Sequence, residues 1–396
     1  MKPIIESSIK YIAKKTTKDV IKQRQLSNFF MNMVNMIDVR STINRKISLK
    51  HDFKEYKKIS KKYKIYNKEW YFPNNYYGIA NNLYKYSGYN SEIKGCIEHG
   101  LMFGSNVLSK FEVNNNILPA MITLSDYRKK YLEKVSNKLI FKIGPYIHYA
   151  KDFYDNKNII EEKIKNGKTL LVFPSHSIDN VYSNYDINKF IEKLKDIHIY
   201  YNFSTVFICL YWADIKNGLD NIYKKHGFNV VTAGYREDPM FLSRLKTLIN
   251  LSDYTVSNNV GTHIGYCIYL KKPHYIIKQD VKLSSRTKKD YLLEFKDRDL
   301  NSYKSDTKEI FGAFGKFTPC ITQDQVEICN KYWGFNEIKS QDQIRYILEF
   351  CDYLFNTMHS KNKKIDHIVE EYIVNNQKNN NVQLIIDCWK NYKIYK

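Results

Sequence analysis

Chemistry in this 396-residue chain is concentrated where apolar runs end in polar side chains. After TLLVFP come Ser175, His176 and Ser177, hydroxyl and imidazole groups that suit a phosphate at a strand end, or simply cap the next helix. FNVVTAG ends in Gly234 and is followed by Tyr235 and Arg236, a glycine that lets backbone approach a ligand and an arginine that grips phosphate with two prongs. After DYTV the run Ser257-Asn258-Asn259-Val260-Gly261-Thr262-His263 opens a helix with small residues, and a helix start offers free N–H groups and a positive dipole end. Earlier, Glu98-His99-Gly100 closes GCIEHG. Either Glu98 or His99 is a candidate general base. Tyr146 and His148, in IFKIGPYIHY, are expected near the same cleft, His148 as the next candidate base and Tyr146 as an acceptor contact, and Arg128 opens a helix toward an anionic acceptor.

These residues need a scaffold that gathers strand ends. Five strand-like runs (169–174, 204–212, 228–234, 253–258 and 274–277) alternate with helical stretches at 188–195, 215–225, 240–250 and 260–270. That alternation predicts a doubly wound parallel sheet, whose carboxyl edge binds ligands. Upstream, runs at 95–100, 119–125 and 140–149 with a helix at 127–137 predict a second α/β unit. Residues 280–316 are polar and read as an irregular excursion, and 341–358, 364–374 and 381–392 read as helices.

Charge narrows the partners. Lys and Arg number 63 against 41 acids, a net charge of +22, and residues 1–70 alone hold 18 basic and 6 acidic residues. Lys57, Lys58, Lys61, Lys62 and Lys64 fit contact with an anionic membrane surface, or simply a composition rich in Lys, Asn, Ile and Tyr throughout the chain. The chain has no zinc finger, ribonucleoprotein aromatic motif or basic zipper, so no nucleic-acid partner is expected. Seven scattered cysteines without a C-x-x-C pair argue against a disulfide framework or zinc site. Without a secretory signal or a run of about 18 apolar residues, the protein is expected in the cytoplasm, peripheral to the inner face of the membrane.

The stretch from KKHGFNVVTAGYRE through TVSNNVGTHIGYCIYLKKPHYII resembles the donor half of GT-B glycosyltransferases that build bacterial capsule or lipopolysaccharide, including a Lys-Pro turn at Lys272-Pro273. The resemblance covers about residues 95–280. It implies two facing Rossmann-like domains with a nucleotide sugar between them, no essential metal or other cofactor, and a lipid-linked or oligosaccharide acceptor. Ser257, Gly261 and Thr262 would hold phosphate, with Gly234, Tyr235 and Arg236 near the nucleotide. Tyr235-Arg236 stands where transferases using CMP-linked acidic sugars carry His-Pro. Glu98-His99-Gly100 and Ser252-Asp253-Tyr254 are also similar to segments of transferases that use CDP-glycerol. The expected organisation is a basic helical extension (1–70), an acceptor-side α/β domain (71–165), a nucleotide-sugar domain (166–340) and C-terminal helices (341–396). A polyol-phosphate transferase and a basic nucleic-acid-binding protein are the alternatives.

Overall fold

The structure is a computed structural model that describes residues 2–66, 68–107, 110–115, 117–178, 181–285, 300–361 and 363–394. Its larger sheet contains β4 (Thr169–Phe173), β6 (Thr205–Cys209), β7 (Asn229–Val231), β8 (Tyr254–Ser257) and β9 (His274–Ile276). All four pairings are parallel, in the order β7-β6-β4-β8-β9. The first strand therefore sits in the middle, and successive crossovers leave it in opposite directions. The gap between the β4 and β8 carboxyl ends is the switch point at which doubly wound sheets bind ligands.

The apolar runs read as strands because both faces are covered. Leu170 and Val172 enter one core with Phe190 and Leu194 of the helix Ile187–Tyr200. Leu171 and Phe173 enter another with Leu245 and Leu248 of the helix Phe241–Leu251. Side chains alternate along a strand, so two covered faces demand unbroken hydrophobicity rather than a polar–apolar rhythm.

The smaller sheet is also parallel: β1 (Gly95–Ile97), β2 (Ala120–Thr123) and β3 (Leu139–Lys142), in that order. Asn74 completes the open edge of β1, donating from Nδ2 to the Gly95 carbonyl at 3.0 Å and accepting from the Ile97 N–H at 2.8 Å. Ile122 and Phe141 of this sheet share one apolar cluster with Leu171 and Phe173 of the larger. C-terminal helices cover the smaller sheet, with Arg345 of Gln341–Lys361 bonding the Ser87 carbonyl and Cys388 of Val382–Ile394 bonding the Ile140 carbonyl. No helix among the described residues is long and apolar enough to cross a membrane.

Several expectations change. Beyond β4, Ile178 bridges antiparallel to Val181, the first residue of β5 (Val181–Asn184), and β5 pairs antiparallel with β10 (Lys282–Ser285). No helix starts at Ser177. The run at 140–149 ends as a strand at Lys142, because Gly144 at φ +73° and Pro145 break it, and Tyr146–Tyr149 forms a 3-10 turn. The excursion at 280–316 contains β10 and the helix Leu300–Phe314, while its part at 286–299 lies outside the described residues. The helices Asn156–Asn166 and Gln323–Trp333 were absent from the sequence reading.

Candidate functional site

The β4 and β8 loops meet at the switch point. The Ser175 N–H donates to Asn258 Oδ1 at 2.6 Å, and Asn259 Nδ2 donates to Ser175 Oγ at 3.4 Å. Asn258 and Ser257 are fully buried and brace this edge. Asn258 Nδ2 reaches Gln279 Oε1 at 2.8 Å, while Ser257 Oγ contacts His274 Nε2 at 3.0 Å and the Asn259 carbonyl at 2.9 Å. The paired turns thus leave Ser175, His176, Asn259, Gly261 and His263 at the accessible rim.

His176 is exposed, its ring 4.5 Å from that of Tyr211. Behind it, Asp214 accepts the Ser177 N–H at 3.1 Å. Burial raises the Asp214 pKa, against the opposing pull of the Ser177 bond and of His176. His263 stacks on Phe173 at 4.7 Å, and its enclosed Nε2 has no hydrogen-bond partner among the described residues. Burial, and secondarily His176, pushes its pKa down to about 3, so this imidazole is neutral at pH 7.

A cluster of aromatic rings lies beside the loop after β1. His99 follows β1, its ring stacked on Tyr77 at 6.0 Å and edge-on to Tyr76 at 5.8 Å. The Tyr77 hydroxyl lies 3.5 Å from that of Tyr211, linking the ring wall to His176. Tyr77 holds φ 58°, ψ 14°. A left-handed aromatic residue is a strained exception costing about 1–3 kcal/mol, and a 2.6 Å bond from its N–H to the Arg236 carbonyl helps hold it. The Arg236 guanidinium lies 4.4 Å from the centre of the Tyr76 ring, beside Glu237.

Other candidates are used internally. Glu98 and Arg128 form a buried ion pair at 2.5 Å. Arg128 Nε also reaches Glu98 at 3.1 Å, and its remaining N–H groups bond the Gly104 and Asn106 carbonyls. Burial alone would lower the Arg128 pKa, but the Glu98 charge and hydrogen bonds outweigh it and hold it raised. Neither side chain is presented to an acceptor, so the roles of base for Glu98 and acceptor contact for Arg128 find no geometric support. Tyr146 is buried, and its hydroxyl has no hydrogen-bond partner among the described residues. His148 Nδ1 contacts the Tyr269 hydroxyl at 2.6 Å and Nε2 that of Tyr86 at 3.3 Å, and burial, then Lys246, lowers its pKa.

Tyr235 is turned into the core, its hydroxyl 3.1 Å from Glu237. Gly234, at φ +114°, makes room for the buried Asp238–Arg244 pair: a Cβ there would lie 2.9 Å from Asp238 Oδ2 and 3.0 Å from Arg244 Nη1. Thr262 links the two sheets, accepting the Leu101 N–H at Oγ1 at 2.9 Å, while its carbonyl accepts from Trp333 at 3.0 Å.

Tyr76, Tyr77, Tyr211 and Asp214 were not among the residues expected at the site. Their signal was present only as the cluster NNYYG and as polar residues beyond FICL. Among the described residues, no cluster of His, Cys, Asp or Glu is arranged to hold a metal ion. A cavity of about 530 Å³ lies elsewhere, lined by Asn115, Lys138, Lys364 and Tyr392. It abuts residues preceding β2 and β3, at the amino ends of strands, the edge away from ligands in parallel sheets. Compared with known proteins, the chain matches no family model, and no curated protein or solved structure matches it.

Proposed function

We propose that the protein is a glycosyltransferase that uses a nucleotide-activated sugar, possesses the two facing Rossmann-like halves of the GT-B plan, and needs no metal. Its acceptor is a lipid-linked or oligosaccharide glycan. The observation that carries this reading is the joining of Ser175 to Asn258 and Asn259 at the β4–β8 switch point, with the His99 wall attached through the Tyr77–Tyr211 contact. Such an edge suits a nucleotide, and an imidazole on the facing wall suits acceptor activation.

In the proposed reaction the acceptor oxygen bonds to the anomeric carbon as the bond from that carbon to the nucleotide phosphate oxygen breaks. His99 takes the acceptor proton. Arg236, Ser175 and the Asn259 amide meet the charge gathering on the departing phosphate, a task that fixed donors perform without reorganising. Of the two candidate bases His99 is the one proposed, because the Glu98 carboxylate is committed to Arg128. Inversion at the anomeric carbon follows from a single displacement.

The test is thermal unfolding with CMP, CDP, UDP, GDP and their sugar conjugates. One nucleotide should protect the protein, by about 2.7 kcal/mol at a hundred times its Kd. Protection by none of them would overturn the reading. Protection by CDP-glycerol, with transfer of glycerol phosphate, would favour a polyol-phosphate transferase instead. Affinity for nucleic acid that falls steeply with salt, without any nucleotide effect, would favour the basic binding protein.

A further inference from the structure

Two consecutive helices near the amino terminus are packed inside out. Helix Val20–Ile37 buries Ser27 and Asn35, and helix Val39–Lys50 buries Ser41, Asn44 and Ser48. Ile21, Leu26, Met31, Val34 and Ile47 are half-buried, but a set of large apolar residues faces solvent: Phe29 is 60% exposed, Met36 62%, Ile37 76%, Val39 69% and Ile43 52%. A helix on an ordinary protein surface does the reverse. Residues 29, 33, 36 and 37 share one helical face and 39 and 43 another, and the faces meet across the single residue Asp38.

This orientation is fixed from below. Asn35 Nδ2 donates to the Ile65 carbonyl at 3.2 Å, and Ser41 Oγ accepts the Lys64 N–H at 3.1 Å. Ser48 donates from its hydroxyl to Asp238, within the buried pair with Arg244. Turning the apolar faces inward would break all three attachments. The segment 57–64, expected to supply the basic contact, lies partly in this support: Tyr63 is buried, Lys58 pairs with Glu55 at 2.9 Å, and Lys57 lies 3.6 Å from Asp220.

Charge identifies the occupant. Residues 7–50 contain ten Lys and Arg but only Asp19 and Asp38 as acids. Both acids cap helix starts. Lys22, Arg40, Lys46 and Lys50 are exposed on the same two helices as the apolar face. Pairing two copies through this patch would oppose two basic rims. An apolar face bordered by cations is instead the design of a helix lying in a lipid interface.

We propose that helices 20–37 and 39–50 seat the protein on an anionic bilayer, with Phe29, Met33, Met36, Ile37, Val39 and Ile43 entering the interface and the basic residues contacting headgroups. Docking stands independently of the transferase reading, because it requires neither nucleotide nor acceptor. The test is co-sedimentation of the full chain with vesicles of phosphatidylcholine alone or mixed with phosphatidylglycerol. The wild type should pellet with the mixed vesicles. The variant Phe29→Ser, Met36→Ser, Ile37→Ser, Val39→Ser should stay in the supernatant. The variant with Lys57, Lys58, Lys61, Lys62 and Lys64 changed to Gln should still pellet. Failure of the wild type to pellet, or equal pelleting by the serine variant, overturns the proposal. So does light scattering that shows a dimer abolished by the serine changes, without vesicle binding. Should the serine variant not fold, Ile37→Cys carrying an environment-sensitive fluorophore, in a Cys320→Ser background, should shift to the blue with anionic vesicles. An unchanged spectrum overturns the proposal equally.

Discussion

Thr262 accepts the Leu101 N–H at 2.9 Å, so the loop after β8 in the larger sheet holds the loop after β1 in the smaller. The approach is close enough that a Cβ on Gly100 would lie 2.6 Å from Thr262 Oγ1. Two strand ends from different sheets are thereby set face to face, which is what a site using residues from both requires. The same hydroxyl was expected to hold phosphate, and its engagement with Leu101 gives it another task.

Thr262→Val keeps the shape and removes the acceptor. Loss of this bond should reduce stability by about 0.5–1.5 kcal/mol, measured by urea unfolding. Nucleotide affinity, measured by calorimetry, should change little. A Kd raised tenfold or more with stability intact would return Thr262 to the phosphate.

The Glu98–Arg128 pair predicts a larger structural effect. Breaking a buried pair strands a charge, and Arg128→Met should cost about 3–5 kcal/mol in denaturant unfolding. Glu98→Gln should also destabilise, because Arg128 then keeps its charge among neutral acceptors. The double change to Glu98→Gln, Arg128→Met should be less harmful than the two single effects added together. Additive losses would mean that the two side chains act separately.

The strands were legible because burial on both faces writes itself into sequence as unbroken runs such as TLLVF and TVFIC. The same runs located the switch-point loops, so Ser175, Asn258 and His263 lie where expected, around one strand edge. Which polar residue faces the cleft was not legible. Glu98 and His99 are adjacent, and only the distant Arg128 decides that the carboxylate turns inward. Tyr235 and Arg236 likewise separate because Tyr235 joins Tyr63 and Trp212 in a core built from remote segments. Residues 1–70 read as a basic helical extension, but hydrophobic spacing does not say which face of a helix meets the protein. Bonds from Asn35 and Ser41 to residues 64 and 65 decide that.

His99 and Arg236 should separate chemistry from binding. His99→Ala should lower turnover about 100- to 10,000-fold while leaving nucleotide affinity in place. Arg236→Ala should raise the nucleotide Kd, by about tenfold or more for a lost charge-assisted contact of about 1.5–3 kcal/mol. Steady-state kinetics with the protective nucleotide sugar, together with calorimetry, reads both. If His99→Ala retains full activity, the proton goes to another group.

The pH dependence of stability should contain two opposed contributions. Glu69 is buried, accepting from Tyr84 and from Asn74 Nδ2 at 3.1 Å, and burial is the main cause that raises its carboxyl to about 7. The unfolded value is about 4.3. Between these values the folded state binds more protons, so this contribution is complete below about pH 4.3 and is lost as pH rises through 7. His274 is buried between Thr255 and Ser257, and burial, then His263, pushes its pKa well below the ordinary value. Here the unfolded state binds more protons below about pH 6.5, so stability present above that value is lost as pH falls. Each full proton of difference changes stability by about 1.4 kcal/mol per pH unit. Urea unfolding between pH 4.5 and 8 in three proteins should separate them, relative to the wild type. In Glu69→Gln the decline from pH 5 toward 7 should diminish. In His274→Gln the loss on acidification below about 6.5 should diminish. Parallel curves for all three proteins would mean that neither group changes its proton affinity on folding.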